Sequence, residues 1–409
     1  MFKTYVLAEK QAYCTLAVLL MIVLCSPKAM ANSAIGLDSE HGKLWLDGRL
    51  RAEQVDEENA LQTAEALILR TRLGYSTPEK YDWKMLIEAE NSYALQDDYN
   101  STTNGRTDHS VIADPEDTEI NRALLSYRGF RDTTLTLGRQ RIVFDNARFI
   151  GNVGWRNNEQ TFDAGLVEYK PVERLSMKLG YIGKVRRIFG PDSSKGTFDM
   201  SSPIVNLSYQ NREKSWKLSS YGYFLDFQDN PANSQKTLGL SLSGKLNVSS
   251  IKPAYHLEYA RQSAYKGSSI SSALSYLHTK LTADINRVKL TLGYENLGSS
   301  NNRAFQTPLA TGHAFNGWSD RFLATPVNGL QDQYVGLGST MLGVKVLARH
   351  HRFRSDAGSQ DYGSELNVLV KKAFNNGINV GLKLARYSAK THSVDADKFW
   401  LFGEYTFGQ

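Results

Sequence analysis

Apolar and polar side chains alternate residue by residue through most of this 409-residue chain, and that period of two constrains its fold more than any other feature. "ALILRTRLGY" (66–75) puts Leu67, Leu69, Thr71, Leu73 and Tyr75 on one face, with Arg70 and Arg72 on the other. "WKMLIEAE" sets Trp83, Met85, Ile87 and Ala89 against Lys84, Glu88 and Glu90, and "RALLSYR" sets Ala123, Leu125 and Tyr127 against Arg122, Ser126 and Arg128. The pattern persists to "KFWLFGEYTF", where Phe399, Leu401, Gly403, Tyr405 and Phe407 share a face. Successive strand side chains point to opposite faces, so each segment is a strand with one apolar and one mostly polar face.

About eighteen such segments occur, each near the ~9–11 residues that a tilted strand needs to cross a bilayer. Short connections (77–81, 129–132, 170–173, 211–214, 374–377) alternate with long ones (91–117, 142–158, 184–202, 298–331, 388–396). Short turns at one end and long loops at the other are the pattern of an outer-membrane barrel. The predicted fold is therefore all-β, a transmembrane antiparallel β-barrel of about 18 strands. A soluble sandwich or propeller shares the alternation. The barrel is preferred because Tyr and Trp recur at the ends of apolar faces and no blade-like repeat is visible. Pro253 has no N–H to give a ladder, so the strand around it is expected to start after it.

Residues 1–31 read as a secretory signal peptide: Lys3 and Lys10, then the apolar run "TLAVLLMIVLC", then the small-x-small site "AMA". The run is too short for a comfortable membrane anchor. Cleavage leaves 32–409 as the barrel and removes Cys14 and Cys25, the two cysteines of the chain, so no disulfide is expected. The formal charge of +6 is spread along the sequence, which argues against nucleic acid as a partner. No cofactor or metal is expected, since no phosphate loop or zinc spacing is present. "HHRF" offers His350 and His351, but these face opposite sides of a strand.

"GRQRIVFDNARFIGNVGWRNNEQTFDA" (138–164) mixes Arg139, Arg141, Arg148 and Arg156 with Phe144, Phe149, Ile150 and Trp155. A solvated loop has little use for such apolar groups, and a lipid-facing strand has none for the arginines. A loop folded into the lumen suits both: the apolar groups pack on the inner wall, and Arg148 and Arg156 point into the pore beside Asp145, Asn146 and Asn157. Arg139 and Arg141 continue the lipid-facing phase of Leu135 and Leu137, where each would cost ~2–4 kcal/mol near the midplane. The expected escape is a bulge after Gly138 that turns both inward; the other is that the strand has already reached the headgroups.

The lumen-facing phase elsewhere carries Arg49, Arg51, Arg70, Arg72, Lys84, Arg122, Arg128, Lys345, Arg349 and Lys383 with Asp47, Glu53, Glu88, Glu90 and Glu404. Any one of these can be a wall ion pair. Together they suggest a basic track that selects anionic solutes.

"LGRQRIVFDNARFIGNVGWRNNEQTFDA", "NGLQDQYVGLGST", "DYGSELNVLV" and "DKFWLFGEYTF" resemble the alginate export family of outer-membrane barrels. The resemblance implies an eighteen-stranded barrel with an arginine-rich constriction through which an anionic polysaccharide passes. The residues it covers include Arg139, Arg141, Asp145 and Asp163, and pore-lining character is carried to those charged positions. The expected function is thus an outer-membrane channel for anionic or saccharide solutes, set among outer-membrane lipid and lipopolysaccharide. A structural or adhesion barrel plugged by 298–331 is the alternative. A barrel enzyme is disfavoured because no local His-x-Ser pattern is present and Asp97 and Asp98 have no histidine nearby in the sequence.

Overall fold

The computed structural model describes residues 40–246, 251–375 and 377–408. The expected signal segment lies outside the described residues. Strands follow in chain order as β1 (Lys43–Glu57), β2 (Ala64–Ser76), β3 (Trp83–Asp98), β4 (Asp117–Tyr127) and β5 (Thr133–Gln140). Next come β6 (Thr161–Val172), β7 (Leu175–Arg186), β8 (Thr197–Gln210), β9 (Trp216–Leu225) and β10 (Gln235–Lys245). Then follow β11 (Ala254–Ala264), β12 (Leu274–Ile285), β13 (Val288–Leu297), β14 (Ser299–Ser300) and β15 (Arg303–Ala304). The last are β16 (Leu330–Met341), β17 (Val344–Arg354), β18 (Asp361–Ala373), β19 (Asn379–Ala389) and β20 (Ala396–Phe407).

β14 and β15 pair only with each other; the other strands form one 18-stranded antiparallel sheet. β20 returns to β1, with pairs running from Leu46↔Phe407 to Glu57↔Ala396, so no edge is left open. β11 begins immediately after Pro253.

The usual polarity is inverted. On β2, Leu73 is 53% exposed while its neighbour Arg72 is 7% exposed. Leu69, Met85, Ile87, Leu137, Leu240, Leu292 and Leu337 face outward in the same way. Apolar groups outside and charges inside suit a wall whose solvent is lipid. No described helix is long and apolar enough to cross a membrane.

Inside the wall, aromatic rings lie over glycines directly across the ladder: Trp45 over Gly74, Tyr221 over Gly239, Tyr334 over Gly293 and Phe402 over Gly381. A Cβ on Gly293 would stand 2.0 Å from the Tyr334 ring, so only glycine admits the ring at this position.

Several strands run past their expected ends. β3 continues to Asp98, β7 to Arg186 and β8 starts at Thr197, which shortens the loops expected over 91–117 and 184–202. Beyond the lipid both faces of a strand are wet, so the hydrogen-bonded ladder continues after the alternation has stopped.

Candidate functional site: the lumen

Two loops from the long-loop end meet inside the barrel. Loop L3 (141–160) carries Phe144, Phe149 and Ile150 into a buried cluster with Tyr221, Tyr223, Tyr276 and Phe305. Phe149 lies 5.1 Å from the Tyr221 ring and 5.3 Å from Tyr276. L3 therefore folds inward. Loop L7 (298–329) joins it backbone to backbone: Gly151 N donates to Leu309 O at 2.9 Å, and Thr311 N to Ala147 O at 3.0 Å.

Side chains lock the pair to the wall. Arg156 reaches Glu53 of β1, Asp114 of the loop before β4, and Asp320 of L7. Arg148 pairs with Glu295 of β13 at 2.7 Å and donates to Asn316 of L7 at 2.9 Å. Both guanidiniums are buried and anchor the loops rather than facing open lumen, which corrects the expectation for them. Glu365 of β18 accepts from the backbone N–H of Ser319, 3.0 Å away, and from its hydroxyl.

Trp155 stacks on His313 with ring centres 5.1 Å apart and planes 3° apart. His313 Nδ1 bonds Asp320 at 2.7 Å, and its Nε2 meets Lys383 Nζ. This fixes the neutral tautomer with its proton on Nδ1. Burial, reinforced by Lys383, pushes the imidazole down to about 3 despite Asp320.

Below this layer, toward the short turns, lies a vestibule of about 660 Å³. Its lining holds six cationic side chains (Lys43, Arg49, Arg70, Arg72, Arg122, Arg141) and four acidic ones (Asp47, Glu88, Glu159, Glu404). Every one of these acids is held by arginine: Asp47 by Arg70, Glu88 by Arg122 and Arg141, Glu159 by Arg141 and Arg72, Glu404 by Arg49. Burial alone would raise Glu159, but Arg72 and Arg141 hold it down at about 2. A second vestibule at the same end, of about 490 Å³, is lined by Lys214, Lys217, Lys245 and Lys280 with Asp145 and Asn146. Asp145 accepts from Lys217, Ser219 and Asn206, and Asn146 donates to Glu258 at 3.3 Å.

The structure separates the two arginines of the strand-five problem. No register shift occurs at Gly138, which passes through the ladder at φ +117°. Arg139 stays outward, at the outer end of β5, where it pairs with Asp163 at 2.9 Å; Asp163 also meets Arg186. These two residues were expected in the lumen and lie outside it. Arg141, past the end of the strand, turns inward to Glu88 and Glu159. Arg128 is likewise displaced from the expected track: it sits at a short turn, exposed, paired with Glu79. Lys84 keeps the inward phase but lies outside the lining of the two vestibules.

Sequence reading missed Asp114, Asn121 and Asp320, all inside the barrel. Asn121 is the extra residue of a bulge opposite Glu88 and Ala89, and it bonds both Glu88 and Glu159. Loop carboxylates carry no phase, so only their spacing from the arginines could have marked them.

The comparisons with known proteins bear on the barrel fold. Residues 46–178 match the alginate export family. That stretch spans β1 to early β7 and includes all of L3. Among solved structures, OccAB4 of Acinetobacter baumannii superposes with a TM-score of 0.71 at 14% identity, covering 90% of this chain and 98% of that one. OpdK of Pseudomonas aeruginosa gives 0.70 at 15% identity, covering 90% and 99%. A structure of OpdK with vanillate gives 0.68 at 14%, covering 89% and 98%. No curated protein is significantly similar in sequence. The chain is a porin-like barrel of the Gram-negative outer membrane, with its short turns toward the periplasm.

Proposed function

We propose that this barrel is a passive channel for anionic or saccharide solutes, which meet an arginine-lined surface on the periplasmic side of the L3–L7 layer. The observation that carries the reading is the larger vestibule, where every acid is already held by arginine and cations remain in excess. A guanidinium presents a planar fork that matches carboxylates, and low-dielectric walls strengthen its field. Arg49, Arg70, Arg72, Glu88, Arg122 and Arg141 are the residues proposed to line this path, with Asp145 and Asn146 at the second vestibule. The family match makes acidic polysaccharide one solute class to test. The likeness to OpdK, solved with vanillate, makes small aromatic carboxylates another.

The mutual bonding of L3 and L7 supports a second reading, a plugged structural barrel. Ion selectivity in planar bilayers, with and without alginate oligomers or vanillate, separates the two. Anion-selective current reduced by either solute supports the channel and names its class. Cation-selective current overturns the basic track, and a closed pore favours the plug.

A further inference from the structure

On the inner wall, β11 and β12 bring two imidazoles and a carboxylate together. Glu258 stands directly opposite His278, and His256 lies two residues before Glu258 on the same face. One ligand atom from each of the three lies within 4.8 Å of the other two. Diagonal and direct cross-strand neighbours are the closest side chains a sheet offers, so the wall itself sets this spacing.

The surroundings are those of a ligand set rather than of a closed hydrogen-bond network. Glu258 Oε1 accepts from Tyr221 OH at 2.8 Å, which orients the carboxylate and leaves Oε2 toward His256 at 3.3 Å and Asn146. His278 Nε2 meets Tyr334 OH at 2.9 Å. With that nitrogen donating, Nδ1 carries the lone pair, and Nδ1 of this 4%-exposed residue has no partner. An imidazole held through one nitrogen, with the other unoccupied and buried, is the arrangement that metal-ligating histidines adopt. The second vestibule gives access, since His256 lines it.

We propose that His256, Glu258 and His278 form a binding site for a divalent transition metal of the zinc class, with a fourth position open to the periplasmic vestibule. Two imidazoles and one carboxylate are a familiar zinc donor set, with ligand bonds of about 2.0–2.2 Å. Lys280, paired opposite His256, opposes ions held by charge alone. The site therefore discriminates against calcium and magnesium, which need several oxygen ligands. Because Asn146 of L3 shares Glu258, an ion here bears on the root of L3.

The test uses the purified full-length barrel and Co²⁺ as a spectroscopic probe. The expected result is one equivalent of Co²⁺ with visible bands of low-coordinate geometry, displaced by Zn²⁺ and not by Ca²⁺. His256→Gln, at the half-buried position, abolishes the bands, and Tyr334→Phe weakens binding by about tenfold through the outer hydrogen bond. Retained heat-modifiable migration in gels shows that each variant is folded. No stoichiometric binding, displacement by Ca²⁺, or binding unchanged in His256→Gln overturns the assignment. Ion selectivity of the channel is a separate readout, so this site can fail while the channel stands.

Discussion

Lys383 Nζ lies 4.2 Å from the centre of the Trp155 ring, joining the wall at β19 to the loop L3 that crosses the lumen. The same ammonium stands 3.9 Å from Trp318 of L7. One wall lysine thus clasps both loops. Lys383→Met keeps the stem and removes the charge. With a desolvated cation–π contact worth about 2 kcal/mol, the clasp opens more often. The expected outcome is noisier single-channel current and faster protease cleavage in L7, with the barrel still folded. Unchanged cleavage would place the stability of the loops elsewhere.

Acid should loosen the same clasp in two steps. His313 is pushed down to about 3 in the closed loops. An opened loop takes up a proton below the ordinary value of ~6.5, so His313's contribution is full above ~6.5 and is lost as pH falls toward 3. Glu159 is held at about 2, and its contribution is present above the ordinary ~4.3 and is lost as pH falls through 2. Both signs agree. L7 cleavage by an acid-tolerant protease should rise from pH 7 to 5 and again below 4, with the second step missing in Glu159→Gln.

The outer face should tolerate charge by depth. Leu69 is midway along β2, and Leu69→Arg is expected to cost ~2–4 kcal/mol in reversible unfolding from lipid. Arg139 is already at the outer end of β5 beside Asp163 and Arg186. Asp163→Asn should therefore cost about 1 kcal/mol or less. A large loss there would mean that the belt reaches higher than β5 suggests.

Gly293→Ala places a methyl 2.0 Å from the Tyr334 ring. Overpacking of this kind costs ~1–3 kcal/mol. The displaced ring also gives up its bond to His278, so Gly293→Ala with Tyr334→Phe should cost less than the sum of the two. Equilibrium unfolding of the three variants measures that difference.

The wall was legible in the sequence because lipid imposes a period of two on every strand. The same rule put Arg49, Arg70, Arg72, Glu88 and Arg122 on the inner face. At Arg139, of the two expected escapes, the bulge is absent and the strand end near the headgroups is the one that fits. In fact a carboxylate across the ladder and a position near the headgroups make the outward guanidinium tolerable. Partners were less legible than faces. Arg156 meets Glu53, Asp114 and Asp320 from three separate elements, 103, 42 and 164 residues away, and no local pattern announces contacts that distant. His256 and His278 were read one at a time as strand residues, since only the register of β11 against β12 sets them side by side.

The ladder that closes at β1 and β20 is shared with structures only 14–15% identical, so it says little about cargo. L3 and L7 hang from that ladder by their ends and meet in its interior. Either loop can be rewritten while every strand pair stays in register. The chain thereby separates two problems that a helical bundle must solve with the same residues: how to stand in a membrane, and what to let across it.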